Sequence, residues 1–149
     1  MNIFTLSLAA GAAAFAGMAQ AESDLSRANV QEVVLEMGTN DDGMYFSPKE
    51  YKFETGQAYR LVMVNVDDIK HEVSLGEMSE RIFTRKIEVT GADGDMVVEV
   101  KGHINEVEVG GNQTAEWFFV PVQTTDAVEI ACELEGHRES GMFGFAEIF

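Results

Sequence analysis

Short segments of alternating apolar and polar residues dominate the chain beyond its first 30 residues. A period of two is typical of β-strands with one buried face, and these segments are rich in Val, Ile and aromatic residues. Turn-forming residues separate them, among them Asn40-Asp41-Asp42-Gly43 and Gly110-Gly111-Asn112. The predicted strands are 31–37, 58–66, 72–75, 96–100, 106–109, 114–120, 127–132 and a last one at about 144–149.

Many short strands in a chain of 149 residues predict an all-β domain, a β-sandwich or small barrel of about seven to eight strands. Residues 77–85 (EMSERIFTR) form the only segment compatible with a short helix, with a mobile loop as the alternative. No repeat or linker divides the chain, so residues 22–149 are interpreted as a single domain.

Alternation also predicts where individual side chains point. In the segment 127–132, Val128, Ile130 and Cys132 share one face and Glu129 lies on the other. Cys132 is therefore expected to point inward at the end of a strand. By the same pattern, Trp117 is expected to be a core residue.

The amino-terminal segment has the features of an export signal. Residues 1–21 carry no charged side chain and end in Ala-Gln-Ala, which predicts cleavage after Ala21 and a periplasmic or secreted protein. The segment departs from the usual export signal in one respect, since no Lys or Arg precedes the apolar stretch, and an uncleaved anchor is the alternative. Stable membrane insertion is not expected, because the stretch is short and rich in Ala and Gly.

The net charge of −16 restricts the possible partners. Such a field repels nucleic acid and anionic lipid, so neither is an expected partner, and it attracts basic proteins at low salt. An equally simple interpretation is that the acidic surface keeps an exported protein soluble.

The segment 132–142, CELEGHRESGM, contains the single cysteine of the chain. Four residues separate Cys132 from His137, and four more separate His137 from Met142. A thiolate, an imidazole and a thioether suit copper that cycles between Cu(I) and Cu(II), provided that a second imidazole joins them. His71, between two predicted strands, is the better candidate, because His103 has no neighbouring ligand types and is expected to be a surface or turn residue.

Three other interpretations compete with copper. Zinc accepts one Cys and two His, but a thioether suits it poorly. A Cys-His nucleophile requires oxyanion donors, which no motif indicates. Purely structural roles fit each of the residues singly, and fit them poorly as a set.

With these residues in view, the chain resembles the cupredoxins, the small blue type 1 copper proteins such as plastocyanin and azurin. The resemblance lies in 51–56 (YKFETG), in the following 59–75 (YRLVMVNVDDIKHEVSL), and in the strand that leads into the Cys-His-Met segment. It implies a Greek-key β-sandwich that holds one copper ion through His71, Cys132, His137 and, as a weak axial ligand, Met142. The segment's spacing is similar to rusticyanin and plantacyanin, and GHRESGMFG resembles periplasmic cupredoxins of copper tolerance.

Three further residues of the site carry expectations. Gly136 and Gly141 bracket His137 and would allow unusual backbone angles in the ligand loop. Cupredoxins often have Asn or Ser after the upstream histidine, whereas this chain has Glu72. A carboxylate at that position puts the electronic type of the centre, blue or green, in doubt.

The function implied by this resemblance is one-electron transfer between redox partners, with copper tolerance or homeostasis as the alternative. The expected partner is a transient, basic cytochrome or oxidoreductase, and the chain is expected to be a monomer. An enzyme is not expected, because four protein ligands on one metal leave no position open for a substrate.

Overall fold

Eleven β-strands and one 3-10 helix form the part of the chain that the computed structural model describes, residues 29–91 and 95–149. The predicted export signal lies outside these residues. The elements, in chain order, are β1 (Gln31–Asn40), β2 (Gly43–Ser47), β3 (Glu50–Phe53), β4 (Tyr59–Asn65), β5 (His71–Ser74), the 3-10 helix (Gly76–Arg81), β6 (Ile82–Thr90), β7 (Met96–Val100), β8 (Glu106–Val109), β9 (Thr114–Pro121), β10 (Thr125–Ala131) and β11 (Phe143–Ile148).

The strands form two sheets. The first has six strands in the order β2-β1-β4-β9-β6-β7, and the second has five in the order β3-β11-β10-β5-β8. β1 pairs in parallel with β4 and β3 in parallel with β11, while the remaining pairs are antiparallel. The all-β prediction is confirmed as a two-sheet sandwich.

All eight predicted strands are present, with ends within three residues of those expected. The helix prediction for 77–85 was wrong in its second half, because Ile82 begins the nine-residue strand β6. Its burial alternates at Ile82, Phe83 and Thr84, and the strand pairs with β9. Strands β2 and β3 were not predicted either, because four or five residues carry too little alternation to separate a strand from a turn.

The core lies between the sheets and is rich in aromatic side chains. Trp117 is fully buried, as predicted, and its Nε1–H donates to Thr84 Oγ1 at 3.0 Å. Phe53 packs edge-on against Tyr59 and Phe119. Cys132 follows β10 and is also fully buried, so the inward orientation predicted from alternation is confirmed.

Among the described residues, none of the helices is long and apolar enough to cross a lipid bilayer.

Gly111, in the loop between β8 and β9, lies against the loop between β4 and β5. A Cβ at Gly111 would lie 2.2 Å from the carbonyl oxygen of Asp68. We expect Gly111→Ala to lower the free energy of unfolding by about 1–3 kcal/mol, since backbone must move to relieve the overlap. Gly110→Ala is the matched control, because the nearest atom to its Cβ would be Gln113 Cγ at 3.4 Å. Urea unfolding of both variants measures the difference, and equal losses would contradict the close approach.

Candidate metal centre

Three of the four predicted ligand residues converge at one end of the sandwich. His71 Nδ1 lies 3.2 Å from His137 Nδ1, and Cys132 Sγ lies 3.3 Å from the same nitrogen. The ligand atoms of the three residues all lie within 4.8 Å of one another. Because His71 and His137 are 66 positions apart in the sequence, this convergence is a product of the fold.

His71 is the first residue of β5 and is fully buried. Its Nε2 lies 2.7 Å from Asp67 Oδ2. Burial of Asp67 opposes its ionisation, but hydrogen bonds from Thr39 and His71 lower the pKa of Asp67 below its usual value. A carboxylate therefore faces Nε2, and Nδ1, the other ring nitrogen, faces His137.

Cys132 offers a sulfur that is shielded from solvent. The backbone N–H of Glu72 donates to Cys132 Sγ at 3.3 Å. Burial raises the pKa of the thiol, and the backbone N–H groups of Glu72 and Leu134 oppose part of this effect. The metal-free residue is therefore a thiol at neutral pH, and a bound cation would displace its proton.

The loop that carries His137 is a chain of tight turns. Gly136 and Gly141 have φ of 81° and 104°, so the unusual angles predicted for them are confirmed. The N–H of Met142 donates to the carbonyl of His137 at 3.1 Å, and the N–H of Cys132 donates to the carbonyl of Met142 at 3.0 Å. These two bonds bring the backbones of all three loop residues together.

Met142 is fully buried and belongs to the same core cluster as Cys132. Its role as an axial ligand stays a prediction that its burial and backbone position favour. His103 is not part of the group: its side chain is 56% exposed and lies 3.4 Å from Glu80, as expected of a surface histidine.

The imidazole of His137 completes a donor set of two imidazole nitrogens and a sulfur. Burial and then the neighbouring His71 lower the pKa of His137, so its ring is neutral at pH 7. Of the three converging residues it alone is partly exposed, while His71 and Cys132 are fully buried. Two imidazoles and one thiol in this arrangement fit a soft or borderline metal ion.

Several residues that support the site were not predicted from the sequence. Lys49 Nζ donates to the carbonyls of Gly141 and Phe143 at 2.6 and 2.9 Å, which ties the end of the ligand loop to the start of β3. Asp67 precedes His71 by four residues in the sequence. The sequence around the two residues contains no metal-binding motif from which their contact could have been predicted.

Glu72 occupies the position at which the sequence departs from the cupredoxin pattern. The nearby backbone N–H of Glu133 favours the ionised form of the Glu72 carboxyl group and lowers its pKa in part. Its Oε1 is buried without a hydrogen-bond partner among the described residues. Burial raises the pKa of Glu72, and the nearby charges of Glu106 and Glu108 add to the rise.

We expect Glu72→Gln to stabilise the metal-free protein more at pH 7 than at pH 4. A carboxyl whose pKa is higher in the folded state contributes stability below the unfolded pKa, and that contribution is lost as pH rises through the folded pKa. Glutamine does not ionise, so the variant does not lose this stability as pH rises. Urea unfolding at the two pH values measures the effect, with Asp126→Asn, on the exposed part of β10, as the control. A gain that does not depend on pH would contradict the assignment.

Comparison with solved structures agrees with this architecture. Multicopper oxidase McoA from Aquifex aeolicus matches 80% of this chain at 12% identity with a TM-score of 0.61, although the match covers only 29% of that protein. Auracyanin A, a "blue" copper protein from Chloroflexus aurantiacus, matches 81% of this chain over its whole length at 13% identity and a TM-score of 0.50. The chain therefore has the cupredoxin fold.

One curated protein gives a more particular likeness. The copper-resistant cuproprotein CopI of Vibrio cholerae is 26% identical to this chain over 121 residues. The aligned region covers 77% of this chain and 64% of CopI, so the chain spans less than two-thirds of that relative's length. No protein-family model matches the chain.

Proposed function

We propose that the chain binds one copper ion through His71, Cys132 and His137, with Met142 as a weak axial ligand, and that this site serves copper tolerance in the periplasm. The observation that carries the proposal is the convergence of a buried thiol and two imidazole nitrogens within 4.8 Å. The likeness to a copper-resistant cuproprotein supports the tolerance role.

The donor set favours copper over zinc. A thiol, two imidazoles and a nearby thioether match the ligands of mononuclear copper centres, whereas structural zinc sites usually use more cysteines and no thioether. Copper bound here would supply a one-electron couple between Cu(I) and Cu(II). We infer that the chain is not an enzyme, since four protein ligands would leave no position for a substrate.

The surrounding residues would hold the ligands in place. His71 is fixed by the pairing of β5 with β8 and by Asp67. Cys132 is anchored by the pairing of β10 with β11 and β5 and by the N–H of Glu72. A rigid ligand set changes little between oxidation states, and hydrogen bonds to the sulfur tune the reduction potential.

A second candidate function is one-electron transfer to a separate protein. The partial exposure of His137 favours it, because this imidazole would connect the buried centre to the surface. A basic cytochrome or oxidoreductase would fit the net charge of −16, through a small interface that weakens with salt. In this case, too, the chain would act as a monomer.

Titration of the metal-free protein with copper(II) tests the proposed site. We expect an intense visible thiolate-to-copper band that saturates at one equivalent. Saturation at two equivalents, or no band, would contradict a single thiolate-bound ion.

Two further measurements separate the candidate functions. Greater copper sensitivity of a strain that lacks the gene, together with slow electron exchange with a basic cytochrome, supports tolerance. Rapid exchange that salt suppresses, without a copper phenotype, supports the electron carrier.

A further inference from the structure

The carboxylate of Asp67 contacts Nε2 of His71, the ring nitrogen that does not face His137. Asp67 Oδ2 lies 2.7 Å from Nε2, while Nδ1 on the other side of the ring faces His137 Nδ1 at 3.2 Å. The His71 side chain is fully buried and that of Asp67 is 16% exposed. Solvent therefore screens this contact much less than it screens the surface ion pairs.

Asp67 is itself held by contacts with two other parts of the chain. The backbone N–H of Thr39 donates to Oδ1 at 3.0 Å, and Thr39 Oγ1 donates to Oδ2 at 2.7 Å. The backbone N–H of Asp67 donates to Asn65 Oδ1, and its carbonyl accepts from the N–H of Asn112 at 2.7 Å. The carboxylate thus has both oxygens occupied and a fixed backbone.

Asn65, which accepts from the N–H of Asp67, holds the loop between β4 and β5 in place. It is buried, and its Nδ2 donates to the carbonyls of Ile69, Val109 and Gly110 at 2.7 to 3.0 Å. These bonds close the loop between β4 and β5 over the end of β8. The loop that places Asp67 therefore has a defined shape before any ion binds.

Building on the proposed copper site, we propose that Asp67 is a positioning residue that fixes the His71 tautomer with its proton on Nε2 and favours Cu(II) over Cu(I). An acceptor at Nε2 keeps the lone pair on Nδ1, where the ligand atoms converge. A negatively charged acceptor makes the imidazole a stronger donor and lies close to the site, and both effects favour the ion of higher charge.

Asp68 supplies a matched control for the charge. It is the next residue, it is exposed, and it has no described contact with His71. Asp68→Asn therefore removes the same charge near the site without removing the hydrogen bond. Asp67→Asn removes the charge but keeps an oxygen acceptor, and Asp67→Ala removes both.

The first test measures copper affinity by competition with chelators. We expect Asp67→Asn and Asp67→Ala to lose about 10–100-fold in Cu(II) affinity, the range for loss of an outer partner of a metal-bound histidine. The loss for Cu(I) should be smaller, so the reduction potential should rise. Asp68→Asn should behave as the unaltered protein does. Equal effects at both positions would overturn the proposal, since they would show only a general charge effect.

The second test uses the metal-free protein. Nitrogen-15 NMR of the His71 ring should show protonated Nε2 and unprotonated Nδ1, and Asp67→Ala should lose this preference. A ring with Nδ1 protonated in the unaltered protein would overturn the positioning role without any variant. If the expected tautomer is found but copper(II) gives no thiolate band, the proposed function fails and the preference for Cu(II) fails with it, while the contact with Asp67 stands.

Discussion

Replacing Cys132 with serine is expected to abolish the visible charge-transfer band and to weaken copper(II) binding by more than about 100-fold, beyond the range for loss of an outer partner. The hydroxyl is nearly isosteric, but it is a poor ligand for copper because its proton is not displaced at neutral pH. Cys132 is the single cysteine of the chain, so no other thiol can replace it beside the two imidazoles.

Absorption spectroscopy and competition with a chelator measure this loss. His103→Ala is the matched control, since that histidine is exposed and lies outside the group of three. The far-ultraviolet circular dichroism of both variants should match that of the unaltered protein. A band that persists in Cys132→Ser, or that disappears in His103→Ala, would show that copper binds elsewhere.

Trp117→Ala is expected to have the largest effect on stability, with a loss of about 3–5 kcal/mol in the free energy of unfolding. The indole is fully buried. It lies in the middle of β9, which pairs with both β4 and β6. Its removal leaves a cavity and also deprives the buried Thr84 hydroxyl of its donor at 3.0 Å. Because many domains have only about 5–15 kcal/mol of stability, the variant can be largely unfolded.

Two further variants make this result interpretable. Trp117→Phe keeps most of the volume and isolates the hydrogen bond, so a loss of about 1–3 kcal/mol is expected. Phe83→Ala removes an aromatic ring that is 60% exposed on β6 and should change stability by no more than about 0.5 kcal/mol. Urea unfolding of the metal-free proteins gives all three values. A loss for Trp117→Ala no greater than that for Phe83→Ala would contradict the central role of the indole.

Strand positions and buried faces followed from the sequence, because a period of two is a local property. The inward orientation of Cys132 and the burial of Trp117 were predictable for this reason. The ligand types were predictable as well, since Cys132, His137 and Met142 are close in the chain and soft donors suit copper. The choice of His71 over His103 depended on its place between two predicted strands and on the resemblance to cupredoxins.

Strand β6 shows where local patterns were insufficient. Ile82 and Thr84 are buried although they follow directly on the 3-10 helix, and β6 is a strand because it pairs with the distant β9. The order of strands in the two sheets also depends on long-range pairing, which alternation does not encode.

The hydrogen bonds that hold the ligand-bearing loops in place could be seen only in the tertiary structure. Thr39 reaches Asp67 across 28 residues, and Lys49 reaches Gly141 across 92. The sequence determined which atoms could bind a metal, because ligand chemistry belongs to the side chain. Only the packing of distant loops decided that His71 would present Nδ1 to His137, because a ring's orientation depends on the partner of its other nitrogen.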